Sequence, residues 1–416
     1  MTSIVFDHVG VIDGCGGVKS DTTVVVEGDR ITAIGDADYS PPTDARVIDG
    51  TDHWLMPGLI NCHDHLSHKW IRWATQDEYH SGNVSRLHTE PGPRALESAK
   101  YAAWTVRQGV TTIRDLGSAG IAAGPEMFTN VHMRDAIGPG MPGPKILASR
   151  LMIAMTGGHG TPWFGVREAD GVEEVRKAVR EQIKGGADCI KVMSTGGLSN
   201  YPHERPDIDQ YTVDELTAAA TETHRFGKLI ATHAMSDRAV SCAIQAGIDT
   251  IEHAFLASAD GIKLMADSDI AFVPTARVSW RTARTASPEL ASLLSDANHA
   301  QRILEASELG VKIGVGTDSR FTMIEEMETL VDYGMPVQTV IQGATGTAAD
   351  ICGLEGIGIV APGMTADLLL LGSNPLNGLR SAFEKLKMVV QRGEVTVSAS
   401  DASVALRPMT PPGPLD

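Results

Sequence analysis

The sequence predicts an α/β protein: a (β/α)8 barrel of the TIM type with a small discontinuous β-sandwich domain built from both termini. Two observations carry this prediction. Short apolar runs alternate with helical stretches through the middle of the chain, and β-rich runs occupy both ends. The 416 residues suffice for a barrel of roughly 250 residues and a smaller domain. We expect the catalytic barrel over 58–360 and the small domain over 1–57 and 361–416.

Short apolar runs are predicted to be the eight barrel strands. They are the run that opens at Leu59 and the segments 110–114, 145–148, 189–193, 229–232, 250–252, 270–273 and 311–315. Helical segments such as 172–184, 213–226 and 300–309 lie between them. This alternation predicts a parallel sheet, for which a closed barrel is the simplest arrangement.

The small domain is predicted from β-rich runs that are too few at either end to form a stable sheet alone. They are 22–27, 30–34 and 46–49 near the start, and 367–371 and 388–397 near the end. Because each set needs further strands, we expect the two ends to build one domain together.

Composition excludes several classes of function. Apolar residues make up 42% and charged residues 21%, which is ordinary globular usage. A net charge of −17 argues against nucleic-acid partners and against anionic membranes, since both attract basic surfaces. The five cysteines are scattered, and no signal-peptide pattern or run of about 18 apolar residues occurs. We expect a cytoplasmic protein.

The most informative motif is His63-Asp64-His65, which ends the apolar segment 54–62. Successive residues of a strand point to opposite faces, so the two histidines project together while Asp64 points away. In barrels of this type the active site forms at the carboxyl ends of the strands. Further polar residues fall at such ends, in or after predicted strands four, five, six and eight: Lys191, His233, His253 and Asp318. The sequence therefore predicts a metal site at the mouth of the barrel.

This combination of residues resembles the amidohydrolase superfamily in its binuclear form. The resemblance covers nearly the whole chain. The segments 190–197 (IKVMSTGG) and 156–160 (TGGHG) are similar to those of metal-dependent prolidases and imidazolonepropionase-like hydrolases. The resemblance implies two divalent metal ions, with zinc favoured, and a carboxylated Lys191 that bridges them. His63, His65 and Asp318 would hold the more buried metal, and His233 and His253 the other.

The same resemblance implies attack on an amide by a metal-bridging hydroxide, with Asp318 as general base and then acid. His159 follows predicted strand three, and we expect it to donate to the substrate carboxylate or to the tetrahedral oxyanion. Four more residues are predicted to bind substrate: Tyr201, Arg205, Tyr211 and Arg277. Nearby loop residues that could line the same pocket are His203, Trp280, Arg281, Trp70, Trp73, Trp163 and Phe164.

The sequence thus predicts a metal-dependent hydrolase that cleaves the amide bond of a small substrate. A dipeptide such as Xaa-Pro or an N-acyl amino acid, aromatic amides included, is favoured. A hydrolase of cyclic amides or lactones and a mononuclear-type deaminase are the alternatives, although deaminases generally lack the bridging lysine. A non-catalytic scaffold is the remaining alternative, disfavoured by the complete ligand set. Similar proteins form large oligomers, so we expect a homo-oligomer.

Overall fold

The computed structural model describes residues 3–36, 45–67, 91–117, 130–161, 165–198, 201–318 and 321–398. Its strands are β1 (Ile4–Ile12), β2 (Val18–Glu27), β3 (Arg30–Asp36), β4 (Arg46–Asp49), β5 (Trp54–Pro57), β6 (Leu59–Asp64), β7 (Val110–Asp115), β8 (Lys145–Ala148), β9 (Met152–Ala154), β10 (Val166–Glu168), β11 (Ile190–Met193), β12 (Ile230–Ala234), β13 (Thr250–His253), β14 (Ala271–Val273), β15 (Leu368–Leu371), β16 (Leu386–Gln391) and β17 (Glu394–Val397).

The helices lie mostly between the barrel strands. They are α1 (Pro91–Arg107), α2 (Asn130–Ala136), α3 (Gly171–Lys184), α4 (Val213–Arg225), α5 (Asp237–Ala246), α6 (Ala259–Ala266), α7 (Ala276–Thr285), α8 (Pro288–Leu293), α9 (Asp296–Glu308), α10 (Met323–Asp332), α11 (Val337–Gly343), α12 (Gly346–Ile351) and α13 (Leu379–Phe383), with a 3-10 turn at Pro375–Asn377.

Helix α3 shows why these segments form helices that pack on the barrel. Its buried residues are Val175, Ala178, Val179 and Gln182, at the i, i+3, i+4 and i+7 spacing that puts side chains on one face. Helix α4 is capped at its start by Thr212, whose side chain forms a capping box with Glu215. Local signals and the buried stripe therefore agree.

The barrel is formed by two parallel arcs. One arc pairs β6, β7 and β8 in that order, and the other pairs β9, β11, β12, β13 and β14, with β10 at its outer edge. The arcs approach each other where Asp188, just before β11, donates its backbone N–H to Ala148 O of β8 at 2.7 Å. All these pairings are parallel, as the alternation predicted.

The predicted eighth strand over 311–315 is not a regular strand. Its backbone bridges its neighbours instead, because Gly314 N–H donates to Phe272 O and Cys62 N–H donates to Val315 O, each at 2.9 Å. An added Cβ at Gly316 would lie 2.7 Å from His63 Cβ, so the chain passes too close to β6 for an ordinary side chain. The segment closes the barrel without a continuous ladder.

The small unit combines both ends of the chain in one eight-stranded sheet. The order is β17-β16-β15-β5-β1-β2-β3, with β4 paired to β1. Strand β5 connects the ends, since it runs antiparallel to β15 and parallel to β1. Alternate residues of these strands share one core, which includes Phe6, Val24, Leu55, Leu370 and Val390. The barrel with a small sandwich domain from both termini is therefore confirmed.

None of the described helices is both long enough and apolar enough to cross a membrane.

Candidate metal centre and active site

The predicted metal ligands lie at the carboxyl ends of the barrel strands. His63 is in β6 and His65 follows it, while His233 is in β12 and His253 ends β13. These four residues are buried, with 1% to 6% of their surface exposed. Parallel register aligns the strand ends, since Met193 pairs with His233 and Ala234 with His253. The barrel therefore brings together residues that are far apart in sequence.

His63, His65 and Asp318 form a compact group. His63 Nε2 lies 3.2 Å from His65 Nε2, and His65 Nε2 lies 3.5 Å from Asp318 Oδ1. One candidate ligand atom from each of the three residues lies within 4.8 Å of the others. The backbone holds this group together, because Asp318 N–H donates to His63 O at 2.9 Å.

Each ligand imidazole has one ring nitrogen held by a neighbour. The pairs are His63 Nδ1 with Glu252 Oε2 at 2.7 Å, His65 Nδ1 with Gly117 O at 3.0 Å, His233 Nε2 with Gly196 O at 3.1 Å, and His253 Nδ1 with Thr275 Oγ1 at 2.7 Å. A carboxylate or carbonyl oxygen can only accept, so His63, His65 and His233 donate from these nitrogens. Their other nitrogens keep a lone pair that is available to a metal.

The contact between His63 and His65 tests whether a cation fits. With both Nδ1 atoms donating, two Nε2 lone pairs face each other at 3.2 Å. Two neutral acceptors at that separation repel each other unless a positive charge lies between them. The residues present therefore fit a divalent metal ion, and imidazole and carboxylate are donors that zinc accepts.

The remaining imidazoles continue this group in a row. Ring centroids are separated by 4.9 Å between His63 and His253, by 4.7 Å between His253 and His233, and by 4.2 Å between His233 and His159. A second metal ion beside His233 and His253 would thus lie close to the first.

Burial favours the neutral form of three of the predicted ligand imidazoles. It lowers the pKa of His63, His233 and His253 well below the usual value, and neighbouring positive charges lower it further. Only a neutral imidazole offers a lone pair to a metal, so the environment favours the ligating form.

Lys191 lies among these imidazoles. It is 1% exposed, and its Nζ is buried with no hydrogen-bond partner among the described residues. Burial lowers the pKa of Lys191 to about 8, so much more of the free amine is present near neutral pH than for an exposed lysine. An unpaired buried ammonium is costly, which indicates that this nitrogen serves a partner absent from the chain itself.

Glu252 and Arg114 support the centre from inside the barrel. Glu252 accepts from His63 Nδ1 and from Arg114 Nη2, the latter at 2.9 Å, and is fully buried. Arg114 also donates through Nε to Cys62 O at 2.6 Å. Burial opposes the charge of Arg114, but the Glu252 carboxylate raises its pKa above the usual value. The ion pair therefore fixes the orientation of His63.

The backbone is strained at the same strand ends. His253, Thr275 and Asp318 have φ values of +76°, +44° and +54°, in the left-handed region that side chains other than glycine rarely adopt. Such conformations are concentrated at functional sites, where the surrounding structure holds them.

His159 reaches the centre from the loop after β9. Its ring stacks on His233, and its Nδ1 contacts the Glu204 carboxylate in a buried ion pair. The backbone N–H of His159 donates to Gln210 Oε1 at 2.8 Å. The structure thus brings this predicted residue beside the predicted metal ligands.

The other predicted substrate residues lie in different surroundings. Tyr201 packs at the mouth on the apolar cluster of Met235, Phe255, Leu290 and Leu294. Arg277 stacks its guanidinium over the Trp280 ring at 3.9 Å.

Arg205 is exposed, and its guanidinium is paired with Asp207 at 2.7 Å. The prediction for Tyr211 needs correction, because it is 5% exposed and its hydroxyl donates to Ala169 O at 2.8 Å. Tyr211 packs in the barrel's main core, and the hydrogen bond to Ala169 O satisfies the only polar atom of its side chain. Trp70, Trp73, Trp163 and Phe164 lie outside the described residues.

Sequence reasoning missed Glu204, Glu252, Arg114 and Thr275. Glu204, Glu252 and Thr275 each contact a histidine of the site, and Arg114 contacts Glu252. The partners are separated by 22 to 189 positions in the sequence. One local signal was present, since Glu252 immediately precedes His253 on a buried strand. An acidic residue at that position needs a partner.

With this geometry established, comparison with known proteins defines the class. The sequence pattern of the amidohydrolase family matches residues 54–397. The chain therefore belongs to the amidohydrolase family.

Similar proteins sharpen this assignment. Ochratoxinase of Aspergillus niger is 27% identical over 425 residues, which cover 91% of this chain and 83% of that protein. A crystal structure of a Xaa-Pro dipeptidase with bound methionine has a TM-score of 0.82 and 28% identity, covering 95% of this chain and 99% of the other. A prolidase complexed with N-methylphosphonate-L-proline has a TM-score of 0.81 and 27% identity, covering 95% and 100%. The chain is thus a hydrolase acting on carbon–nitrogen bonds, similar to prolidases.

Proposed function

We propose that this protein hydrolyses the amide bond of a small substrate at a centre of two divalent metal ions, with zinc favoured. The substrate is a dipeptide such as Xaa-Pro, or an N-acyl amino acid, aromatic amides included. The observation that carries the proposal is the buried Lys191 Nζ, which has no hydrogen-bond partner among the described residues and lies among neutral imidazoles. The names of the relatives, ochratoxinase and Xaa-Pro dipeptidase, support the substrate class.

Carboxylation would give Lys191 the partner that it lacks. The free amine attacks carbon dioxide, a nitrogen–carbon bond forms, and one proton leaves to solvent, so that the neutral amine becomes an anionic carbamate. A lowered pKa favours this reaction because only the uncharged amine is nucleophilic. The carbamate would supply oxygen donors beside imidazoles that carry lone pairs.

The metal ligands divide into two groups around Lys191. His63, His65 and Asp318 would hold one ion, since their donor atoms lie within 4.8 Å of one another. His233 and His253 would hold the other, with the carbamate of Lys191 contributing to both. When bound, the ions would polarise the scissile carbonyl and lower the pKa of a water molecule.

Asp318 and His159 would carry out the proton transfer and the substrate contact. The Asp318 side chain is 25% exposed, so it reaches the mouth where substrate enters. Its carboxylate would take a proton from the attacking water and return it to the leaving amine. His159 would donate to a substrate oxygen, and Tyr201, Arg205 and Arg277 are the rim residues available to the rest of the substrate.

A substrate panel tests the proposal. Zinc-loaded enzyme is assayed with dipeptides that include Xaa-Pro, N-acyl amino acids, esters, cyclic amides and an adenosine-type amidine, and the products are identified. We expect release of an amine and a carboxylate from the dipeptides or N-acyl amino acids. Turnover confined to cyclic substrates or to deamination would contradict the substrate class, and Asp318→Asn should remove the activity that is found.

A further inference from the structure

The imidazole of His159 is held by two side chains, and its backbone is held by a third. Glu204 contacts Nδ1, His233 stacks on the ring, and Gln210 accepts from the backbone N–H. A Cβ added to Gly197 would lie 2.2 Å from His159 Cε1, so glycine is required where the ring passes. The ring therefore has a defined position beside a metal ligand.

Glu204 is itself held in place as an acceptor. The backbone N–H of Gly197 donates to the same Glu204 Oε1 that contacts His159, and the residue is 9% exposed. Burial alone would raise the pKa of Glu204, but the charge of His159 and the two hydrogen bonds outweigh it and lower the pKa. The group is a carboxylate, which can only accept.

It follows that Nδ1 of His159 donates to Glu204. Nε2 is then the ring nitrogen left for the substrate. Nε2 can donate to a substrate oxygen only in a ring that carries both protons, and the Glu204 carboxylate is the acceptor for the other one. Glu204 thus determines both the orientation of the ring and the nitrogen that it presents.

We propose that Glu204 is a positioning residue that acts through His159, and that the pair directs His159 Nε2 at the oxygen of the scissile carbonyl. This inference rests on the proposed function, since it assigns a role within amide hydrolysis. The contact with His233 decides between the two possible acceptors. The ring is stacked at 4.2 Å on His233, a proposed metal ligand, so it would lie beside a carbonyl polarised at that metal, and the substrate's terminal carboxylate would lie further out.

A donor to this oxygen stabilises charge that develops only during reaction, so its loss should lower kcat rather than raise KM. In zinc-loaded enzyme, acting on whichever panel substrate the wild type hydrolyses, we expect Glu204→Gln to lower kcat about 10- to 100-fold with KM changed less than about threefold. A phosphonate analogue of that substrate, which mimics the tetrahedral intermediate, should bind more weakly by a similar factor. Glu204→Asp should recover part of the loss.

The matched control is Glu168→Gln. Glu168 accepts from the backbone N–H of Gly157 at 2.8 Å, so it supports the same loop without contacting the His159 ring. We expect kcat, KM and phosphonate affinity close to wild type for this variant. Zinc content and thermal unfolding of each variant verify that the fold is intact.

A double-mutant cycle separates positioning from a general structural effect. If Glu204 acts through His159, Glu204→Gln should have less than about a twofold effect in a His159→Ala background. Additive effects would overturn the proposal, as would an unchanged kcat or an increase confined to KM. Crystal structures add a readout that does not need turnover: a displaced His159 ring in Glu204→Ala supports positioning, and an unmoved ring contradicts it. A wild type inactive on the whole panel would instead refute the proposed function.

Discussion

The centre of the barrel and the rim of its mouth differ in how they hold polar side chains. At the centre, each histidine that is predicted to bind metal has one ring nitrogen held by a protein oxygen. At the rim, Arg205 is already paired with Asp207, and Tyr211, at the end of the same loop, is paired with Ala169 O inside the core. The pairing register of the strands fixes the positions of the central residues, whereas polar side chains of the loops form hydrogen bonds or ion pairs with nearby protein groups. We therefore expect the centre to determine which reaction is catalysed and the loops to determine which substrate is bound.

The largest effect is expected at the centre, from Lys191→Ala. Removing a group that serves both metal ions should cost several kcal/mol of transition-state stabilisation, or about 10³-fold in kcat/KM. Short carboxylic acids such as acetate should restore part of the activity by supplying the missing oxygens. The matched control is Lys184→Ala at the exposed end of helix α3, which should retain wild-type kinetics. Undiminished turnover in Lys191→Ala would remove the distinction between centre and rim.

The next effect concerns the support of the centre, through Glu252→Gln. This change weakens the orientation of His63 and leaves Arg114 without its buried carboxylate. We expect metal affinity to fall about 10- to 100-fold, measured by competition with a chelator, together with a lower free energy of unfolding in urea. Unchanged affinity would show that the His63 ring is held by packing alone.

Glu326 tests the boundary between the two regions, because it caps helix α7, which carries Arg277. Its carboxyl group accepts from the N–H groups of Ala276 at 2.6 Å and Arg277 at 2.8 Å, and burial raises the pKa of Glu326 to about 8. The folded state therefore holds this proton more tightly than the unfolded chain, and the stabilisation is lost as pH rises from the usual value towards 8. The slope is at most about 1.4 kcal/mol for each pH unit.

Urea unfolding of wild type and Glu326→Gln between about pH 5 and about pH 8 measures this slope. The variant should show a flatter dependence of stability on pH than the wild type. Parallel curves would show that Glu326 does not titrate in this range.

The smallest effect on activity is expected from Tyr211→Phe, at the core end of the rim loop. The change removes one buried hydrogen bond, so stability should fall by about 0.5–1.5 kcal/mol while kcat and KM stay within about twofold. Arg205→Ala, on the exposed side of the same loop, is the contrasting variant: because Arg205 is a proposed substrate residue, KM should rise while stability stays near wild type. A tenfold rise in KM for Tyr211→Phe would instead place Tyr211 in the pocket.

Much of the centre could be predicted from the sequence because its residues follow short-range rules. His63 and His65 share a face by strand alternation, and Lys191, His233 and His253 fall at or near strand ends. Asp64 behaves as the alternation requires: it is buried in the wall, where it accepts from Asn61 Nδ2 at 3.0 Å. The barrel and the small domain from both chain ends could also be predicted, because short apolar runs and helical segments mark their strands and helices locally in the sequence.

The rest could not be predicted because it depends on contacts without a sequence period. The ion pair between His159 and Glu204 joins two loops 45 positions apart, and the segment at 311–315 closes the barrel through single bridges. The apolar pattern around Tyr211 is the same for a pocket wall and for a core. Only the fold decides which of the two a loop aromatic becomes.

The central claim is a two-metal centre that depends on Lys191, and metal content tests it most directly. Protein produced with added zinc is freed of loosely bound metal and analysed by elemental spectrometry against protein concentration. We expect about two zinc ions per chain in the wild type and clearly fewer in Lys191→Ala, since the carbamate contributes to both sites. One ion per chain in both proteins would contradict the claim and favour the single-metal chemistry of a deaminase. The absence of bound zinc in both proteins would also contradict it and favour a non-catalytic scaffold.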